Sequence, residues 1–190
     1  MINASQIRSG MAIRYQGLSY KVVGADYHPG QGKMGGVNHL QLRNLETGTT
    51  WEQSIRAELK IEELPVERLN LEFLYMSDSF CVFMHPQSYD QVEVPISILG
   101  EPAAFLAPGM QLPVEFVEGR PVSVVLPDFV EVTIDDTAPP FHGQADTTWK
   151  PARLGNGVEV MVPPFVQSGD AIRLNLATLK YMDRAHVKSA

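Results

Sequence analysis

The sequence has very little cysteine: Cys81 is the only one in 190 residues. An intrachain disulfide is therefore impossible, and this usage fits the reducing cytoplasm. Cys81 lies in the apolar run Phe80–Met84, so we predict that it is a small buried residue. No base stands near it in sequence, which gives a nucleophilic role little support.

Long hydrophobic runs and metal-ligand patterns are also missing. No segment approaches the ~18 consecutive apolar residues of a membrane-spanning helix. The first six residues, Met1–Gln6, lack the basic-then-apolar pattern of a secretory signal. The five histidines are scattered, and none is spaced as a metal ligand beside cysteine or carboxylate. We therefore predict a cytoplasmic protein that needs no metal and no cofactor.

Helical periodicity is scarce, whereas short strand-like runs recur along the whole chain. Gly, Pro and Asn punctuate these runs, which is typical of small β-barrels. The only helical piece that we predict is Ser97–Phe105, and Pro102 limits its length. Two-residue turns are expected at Gln16-Gly17, Thr47-Gly48, Ser77-Asp78 and Glu118-Gly119. The predicted strands are Ala12–Tyr15, Leu18–Ala25, Val37–Leu45, Thr49–Ser54, Leu69–Met76, Phe80–Met84, Val92–Val94, Gln111–Val117, Val122–Leu126, Phe129–Ile134, Val158–Val162, Ile172–Leu176 and Tyr181–His186.

Prolines and charge divide the chain into three blocks, 1–65, 66–128 and 129–190. The boundaries fall near Pro65 and Pro127, and the formal charges of the blocks are +1, −7 and −1. A net charge of −7 argues against non-specific nucleic-acid binding. The two outer blocks nevertheless carry enough cations to contact phosphates with selected surfaces. We predict three small β domains that pack together or form a stiff linear arrangement.

The most informative segment is a glycine-rich loop that carries one lysine, Lys33. Glycine lets the backbone turn freely and lets another molecule approach closely. A single cation between two strand-like runs is thus presented outward, toward a partner. Beside Lys33, the loop contains Pro29, Gly30, Gln31, Gly32, Met34, Gly35 and Gly36.

Nucleotide-binding readings of this loop are weak. The kinase pattern lacks its downstream motifs, and a Rossmann fingerprint requires a helix where His39–Leu45 alternates like a strand. A Walker loop fails because Met34 follows Lys33. A small nucleotide-binding protein remains a distant alternative. A further alternative is that the loop is only a hairpin turn and that its lysine has no function.

The third block carries the most specific motif of the chain. Lys150-Pro151-Ala152 is followed by Gly157, by Val162-Pro163-Pro164-Phe165 and by Gly169-Asp170. This order of residues resembles the C-terminal signature of the bacterial translation elongation factor P family. Further matches follow the same order in the other blocks: Arg43-Asn44-Leu45, Thr47-Gly48, Phe73-Leu74-Tyr75, Phe83-Met84, Tyr89-Asp90-Gln91 and Gly119–Val124.

This resemblance implies an all-β fold of three small barrels. An N-terminal SH3-like barrel of the KOW type would be followed by two OB-fold barrels, in an L shape similar to tRNA. It implies a monomeric, non-enzymatic factor that binds the ribosome between the peptidyl-tRNA and exit-tRNA sites. Such factors relieve stalling on consecutive prolines. The alternative within the family is a paralogue that occupies the same site and serves other stall sequences.

In the family, the tip of the first domain reaches toward the acceptor end of the peptidyl-tRNA. The tip residue is often a modified lysine and in other members an arginine. Counting back from Arg43-Asn44-Leu45 places Lys33 at the tip, whereas counting forward from Pro29-Gly30 places Gln31 there. We favour Lys33, which has the amine. The loop is longer than the common form, so its recognition by a lysine-modifying enzyme stays open.

Several further residues are candidates for RNA contact. Cations of the first block would position tRNA phosphates without reading sequence, and Trp149 could stack on a base. The family's turn glycine near the C-terminus is replaced by Leu179, so a different or looser hairpin is expected there. The candidates are Arg8, Arg43, Arg56, Trp149, Lys150, Tyr181 and Arg184, with Arg14 and Lys21 as weaker ones.

Overall fold

The computed structural model describes residues 1–30, 35–140 and 149–185. Within these residues the regular secondary structure is almost entirely β-strand, as predicted, and the strands form three antiparallel sheets. Each sheet takes its strands from one predicted block, while the positions of the block boundaries remain predictions. The expected helix at Ser97–Phe105 is one α-helical turn, Ile96–Leu99, and a 3₁₀ segment, Glu101–Phe105. No helix in the described ranges is long and apolar enough to span a membrane.

The first sheet has the strand order β1-β6-β2-β3-β4-β5. Strand β4 illustrates why this sheet forms: buried and exposed residues alternate along it. Asn38, Leu40 and Leu42 point inward, whereas His39 and Gln41 are exposed. The inward residues meet a core that also contains a 3₁₀ turn, Ala4–Gln6. The strands are β1 (Ile2–Asn3), β2 (Ala12–Tyr15), β3 (Leu18–His28), β4 (Val37–Asn44), β5 (Thr50–Arg56) and β6 (Lys60–Leu64).

The second sheet has the order β11-β10-β7-β8-β9. Phe73 and Phe83 meet edge to face in its core, with ring centroids 5.5 Å apart. Cys81 is fully buried, as predicted, and this burial raises the pKa of its thiol. The strands are β7 (Glu67–Met76), β8 (Phe80–Met84), β9 (Gln91–Pro95), β10 (Gln111–Val117) and β11 (Arg120–Val124).

The third sheet has the order β14-β13-β12-β15-β16. Its core contains Ile134, Leu154, Ile172 and Leu174, together with Phe105 from the 3₁₀ segment. The strands are β12 (Phe129–Thr137), β13 (Lys150–Leu154), β14 (Glu159–Val162), β15 (Ala171–Asn175) and β16 (Lys180–Arg184).

The chain forms two compact units: residues 1–98 with 111–124, and residues 99–110 with 125–190. The first unit holds two sheets because they share a buried interface. A small apolar cluster of Ala12, Leu64, Val117 and Val122 lies there. Burying such surface on both sheets disfavours their separation in water.

A buried ion pair lies in the same unit. Lys21 Nζ of β3 donates to Glu115 Oε2 of β10 over 2.8 Å, and both residues are less than one-tenth exposed. Arg68 of β7 donates to the other carboxylate oxygen over 2.6 Å. Lys21 is therefore not a surface cation: the suggestion that it contacts phosphate is wrong, because its amine is enclosed with a carboxylate.

Two of the predicted turns meet one another in this unit. Gln16 and Gly17 both have positive φ (52° and 82°), as do Glu118 and Gly119 (51° and 76°). Positive φ at both central residues is the geometry of a tight two-residue hairpin. The carboxylate of Glu118 accepts hydrogen bonds from Arg14 and from Ser19, which flank the first turn.

Replacing Gln16 with Asn is expected to stabilise the first unit by about 0.5 kcal/mol. Asn tolerates the left-handed conformation of this turn better than Gln, whose longer side chain makes no local backbone bond. The midpoint of thermal unfolding should rise by roughly 1–2 °C. Glu118→Asn is the contrasting variant, because it also removes the carboxylate that binds Arg14 and should give no gain.

Candidate functional site

The glycine-rich loop closes the longest hairpin of the first sheet. Strand β3 continues to His28, three residues beyond the predicted end at Ala25, and pairs with Val37 at the start of β4. The loop therefore follows a stem of paired strands, in which β5 also pairs with β4 as far as Val37. Pro29 has no backbone N–H to continue the ladder. Four of the predicted loop residues, Gln31, Gly32, Lys33 and Met34, lie outside the described residues.

The outward face of the stem is polar and internally bonded. His28 Nε2 lies 2.9 Å from Asp26 Oδ2, and His39 Nδ1 lies 2.8 Å from Ser54 Oγ. The two imidazole rings meet edge to face, with centroids 5.0 Å apart. These are strand-surface histidines, as predicted, and within the described ranges no three His, Cys, Asp or Glu side chains are arranged to hold a metal.

The predicted RNA-contact arginines of the first block have different surroundings. Arg56 is exposed at the end of β5 and pairs in register with Val37 at the loop stem. Arg8 is exposed and donates to the Ser5 and Ile7 carbonyls over 2.8 and 2.9 Å. Arg43 is half-buried, where burial lowers the pKa of its guanidinium, and it donates to the Val122 carbonyl.

Two predicted aromatic candidates of the third sheet meet. The rings of Trp149 and Tyr181 lie edge to face with centroids 6.0 Å apart, and Trp149 is 48% exposed. They line a shallow groove with Met161, Leu179 and Lys180. An exposed tryptophan beside a lysine is suited to stacking on a planar base.

The two cationic candidates of this sheet make internal contacts. Lys150 Nζ donates to the Ala138 carbonyl. Burial lowers the pKa of the Lys150 amine, against an opposing effect of the Asp170 charge. Arg184 donates to Asp170 over 2.8 Å and lies over the Phe165 ring, 5.1 Å from its centroid. The two aromatic candidates, Trp149 and Tyr181, therefore contact each other, whereas Lys150 and Arg184 both donate hydrogen bonds to nearby groups of the protein.

The hairpin at Leu179 is closed, although its turn glycine is missing. Leu179 has the left-handed conformation that glycine favours (φ 53°), and its N–H donates to the Asn175 carbonyl over 2.8 Å. The Asn175 side chain accepts a further bond from Thr178 N–H over 2.9 Å. These bonds and the packing of Leu179 on the core hold the turn closed. The expectation of a looser hairpin is therefore wrong.

Comparison with known proteins finds relatives along nearly the whole chain. Three family descriptions match in order: the elongation factor P KOW-like domain at residues 3–61, its OB domain at 66–124, and the elongation factor P C-terminal domain at 130–184. An elongation factor P of Ruegeria pomeroyi is 40% identical over 97% of this chain and 98% of its own length. The chain belongs to the elongation factor P family.

Another elongation factor P matches to a similar extent, and a solved structure matches more weakly. Elongation factor P of Bartonella henselae is 38% identical over 98% of both chains. A solved structure of a translation initiation factor 5A from Methanococcus jannaschii is 19% identical, with a TM-score of 0.47, over 65% of this chain and 92% of its own. The matches to elongation factor P confirm the resemblance that the sequence motifs indicated. They also support the assignment of this chain as a ribosome-associated translation factor.

The sequence analysis did not identify Asn38, a residue that positions the stem. Asn38 is fully buried, and its Nδ2 donates to the Ala4 and Ile7 carbonyls over 2.7 and 3.3 Å. It ties the start of β4 to the N-terminal 3₁₀ turn. The two-residue alternation of β4 places Asn38 on the same side as Leu40, and that signal could have identified it.

Proposed function

We propose that this protein binds cytoplasmic ribosomes between the peptidyl-tRNA and exit-tRNA sites and speeds peptide-bond formation at consecutive prolines. The support comes from one feature: strands β3 and β4 are paired up to the glycine-rich loop that carries Lys33, in a chain that matches the family over nearly its whole length.

The proposed action is positional, not enzymatic. Proline is a poor peptide donor and acceptor, and its rigid ring strains the geometry of attack. A factor that orders the acceptor end of the peptidyl-tRNA restores part of the orientation contribution to the barrier, where misplacement by about 1 Å can cost about 100-fold in rate. No acid, base, metal or cofactor of the factor is required for this effect.

The amine of Lys33 would contact the tRNA sugar-phosphate backbone, because an ammonium group pairs with phosphate oxygens. Modification of Lys33 by a dedicated enzyme would extend its reach. Arg8 and Arg56 are the exposed cations of the first sheet that we propose for tRNA phosphates. Trp149 and Tyr181 are our candidates for RNA contact in the third sheet, where Lys150 and Arg184 would act mainly by holding their surroundings.

The test is translation of a Pro-Pro-Pro reporter in a reconstituted system that lacks its own factor. Protein purified from its native host should restore full-length synthesis on this template and leave an Ala-Ala-Ala template unchanged. Relief only on other stalling templates would instead favour the paralogue function. A thermal-shift titration with ATP and GTP examines the nucleotide-binding alternative, for which we expect no shift.

Replacing Arg56 with Ala is expected to weaken ribosome binding and to lower its salt dependence. Arg56 stands beside the loop stem, so it would neutralise one tRNA phosphate and release its counterions. The slope of log affinity against log salt should fall in magnitude by about 1. Arg120→Ala removes the same charge from the acidic second sheet, where Arg120 is well exposed, and should change neither quantity. Equal effects of the two variants would contradict the phosphate contact.

A further inference from the structure

One cavity of the first unit is lined by segments that the sequence analysis singled out and that the proposed function leaves unused. Its walls are residues 43–48, the end of β9 with the helical turn that follows it, and residues 120–122. All of these residues belong to the same compact unit. The cavity measures about 330 Å³, which is at the lower end of the range for small-molecule sites.

The cavity has a preformed wall, because the turn at residues 44–48 is held by its own hydrogen bonds. Asn44 is buried, and its Oδ1 accepts bonds from the Glu46 and Thr47 N–H groups over 2.7 and 3.0 Å. The Gly48 N–H donates to the Asn44 carbonyl over 3.0 Å. Leu45 packs on the apolar cluster between the two sheets. A ligand would therefore meet walls that need little ordering.

Arg43 is the cation of this cavity that the protein leaves without a counterion. Among the described residues it takes part in no ion pair, whereas exposed Arg120 lies 3.8 Å from Glu46. The half-buried guanidinium of Arg43 donates to the Val122 carbonyl. An arginine has five N–H donors, so others remain for a ligand. A cation that loses water on burial is stabilised when an anion takes the place of that water.

The other lining groups favour a singly charged ligand with an apolar part. A guanidinium matches the two oxygens of a carboxylate with parallel hydrogen bonds. The exposed carboxylate of Glu93 also lines the cavity and would repel an anion of higher charge more strongly. Leu45, Pro95 and Ile98 are partly exposed in the lining and would contact hydrocarbon. A short monocarboxylate therefore suits the cavity better than a phosphate.

We propose that this cavity binds a small monocarboxylate, with its oxygens on the Arg43 guanidinium and its hydrocarbon part against Leu45 and Pro95. A free short-chain acid and the carboxyl terminus of a peptide both present this chemistry. The site is independent of the proposed ribosomal function, because it needs no RNA. A ligand in the cavity would contact residues of both sheets of the first unit and would stabilise that unit.

A nuclear magnetic resonance titration of the protein with sodium butyrate tests the site. Saturable shifts are expected at the Arg43 Nε–H and at the Thr47, Gly48 and Val122 amides, with a dissociation constant on the order of 1 mM. Inorganic phosphate at about pH 7.5, where it is mainly a dianion, should bind at least about 5-fold more weakly. The absence of saturable shifts with butyrate, or equal or tighter binding of phosphate, would overturn the proposal.

Substitutions of Arg43 separate ligand binding from the contact with Val122. Arg43→Gln keeps an N–H donor for the Val122 carbonyl but removes the charge, so butyrate affinity should fall about 10-fold or more. Arg43→Lys keeps the charge without the planar fork and should bind butyrate more weakly than the wild type. Arg153→Gln, at an exposed arginine of the third sheet, is the matched control and should leave binding unchanged. Wild-type butyrate affinity in Arg43→Gln would refute the site.

Glu93→Gln keeps the site testable if Arg43→Gln does not fold. Removing the Glu93 charge should raise phosphate affinity about 3-fold or more and narrow the preference for butyrate. Unchanged phosphate affinity would contradict the selection of a monoanion.

An N-acetylated dipeptide with a free carboxyl terminus, compared with its amidated form, distinguishes the two sources of the carboxylate. Tighter binding of the free form than of butyrate would identify a peptide terminus, and weaker binding would identify a free acid. Equal binding of the free and amidated forms would show that the carboxylate is not recognised and would overturn the proposal.

Discussion

Replacing Lys33 with Ala is expected to reduce stall relief on a Pro-Pro-Pro template about 100-fold, close to the rate without factor. The variant removes the one amine of the glycine-rich loop, and no neighbouring loop residue carries a positive charge. Binding to the ribosome should weaken far less than the rate falls, because the other contacts remain. The measurement is the rate of full-length synthesis at saturating factor, beside ribosome affinity in the same buffer.

Three further variants locate the effect within the loop. Lys60→Ala removes an exposed lysine from β6 of the same sheet and should leave the rate unchanged. Gln31→Ala addresses the alternative alignment of the loop, in which Gln31 occupies the tip. A large loss for Gln31→Ala together with wild-type activity for Lys33→Ala would move the tip to Gln31.

Lys33→Arg distinguishes charge from modification. Arginine keeps a cation but cannot receive a lysine-specific group. Activity close to that of the wild type would mean that a cation suffices. Lys33→Arg could instead lose as much activity as Lys33→Ala. If protein from the native host is also more active than recombinant protein and carries extra mass at Lys33, the added group is responsible for the function.

Replacing Glu115 with Gln is expected to destabilise the first unit by about 3–5 kcal/mol, the usual cost of leaving one buried charge without its partner. The amine of Lys21 would remain enclosed between β3 and β10. Urea unfolding at neutral pH measures the change. Glu118→Gln is the matched control: this carboxylate pairs with Arg14 at the surface, about half exposed, and its loss should cost under about 1 kcal/mol.

Removing both charges of the Lys21–Glu115 pair is a second test of its contribution to stability. Lys21→Met with Glu115→Leu replaces the pair by apolar groups of similar volume, which is often neutral or stabilising. The double variant should therefore regain most of the stability that Glu115→Gln loses. A double variant as unstable as the single one would show that the loss came from packing and not from the unpaired charge.

Acid should remove the contribution of Glu115. Burial raises the pKa of its carboxyl, but the hydrogen bonds and charges of Lys21 and Arg68 outweigh burial and lower the pKa below its ordinary value. A lowered folded pKa stabilises the native state above the unfolded pKa, about 4.3, and this stability is lost as pH falls through the folded value. The stability difference between wild type and Glu115→Gln should shrink over that range. A constant difference would contradict the pairing.

The sequence by itself determined the local β structure wherever one strand face is apolar and the turn residues are distinctive. Ala12–Tyr15, Phe80–Met84 and Gln111–Val117 were predicted with the bounds that the structure gives, because alternation and turn residues are local signals. The family followed from the ordered motifs of the third block. The loop with Lys33 was also visible in the sequence, since a cation among glycines stands out without any partner.

The tertiary structure decided what depends on residues far apart in the chain. Strands β6 and β13 were missed, because Lys60–Leu64 is rich in charge and Lys150–Leu154 contains Pro151, so each forms only against its neighbours. In the sequence, Lys21 resembles a surface cation. The structure shows that it is buried and bonded to Glu115, which is 94 residues away in the chain. Composition and spacing cannot show such pairings, because burial and hydrogen bonding are properties of the packed chain.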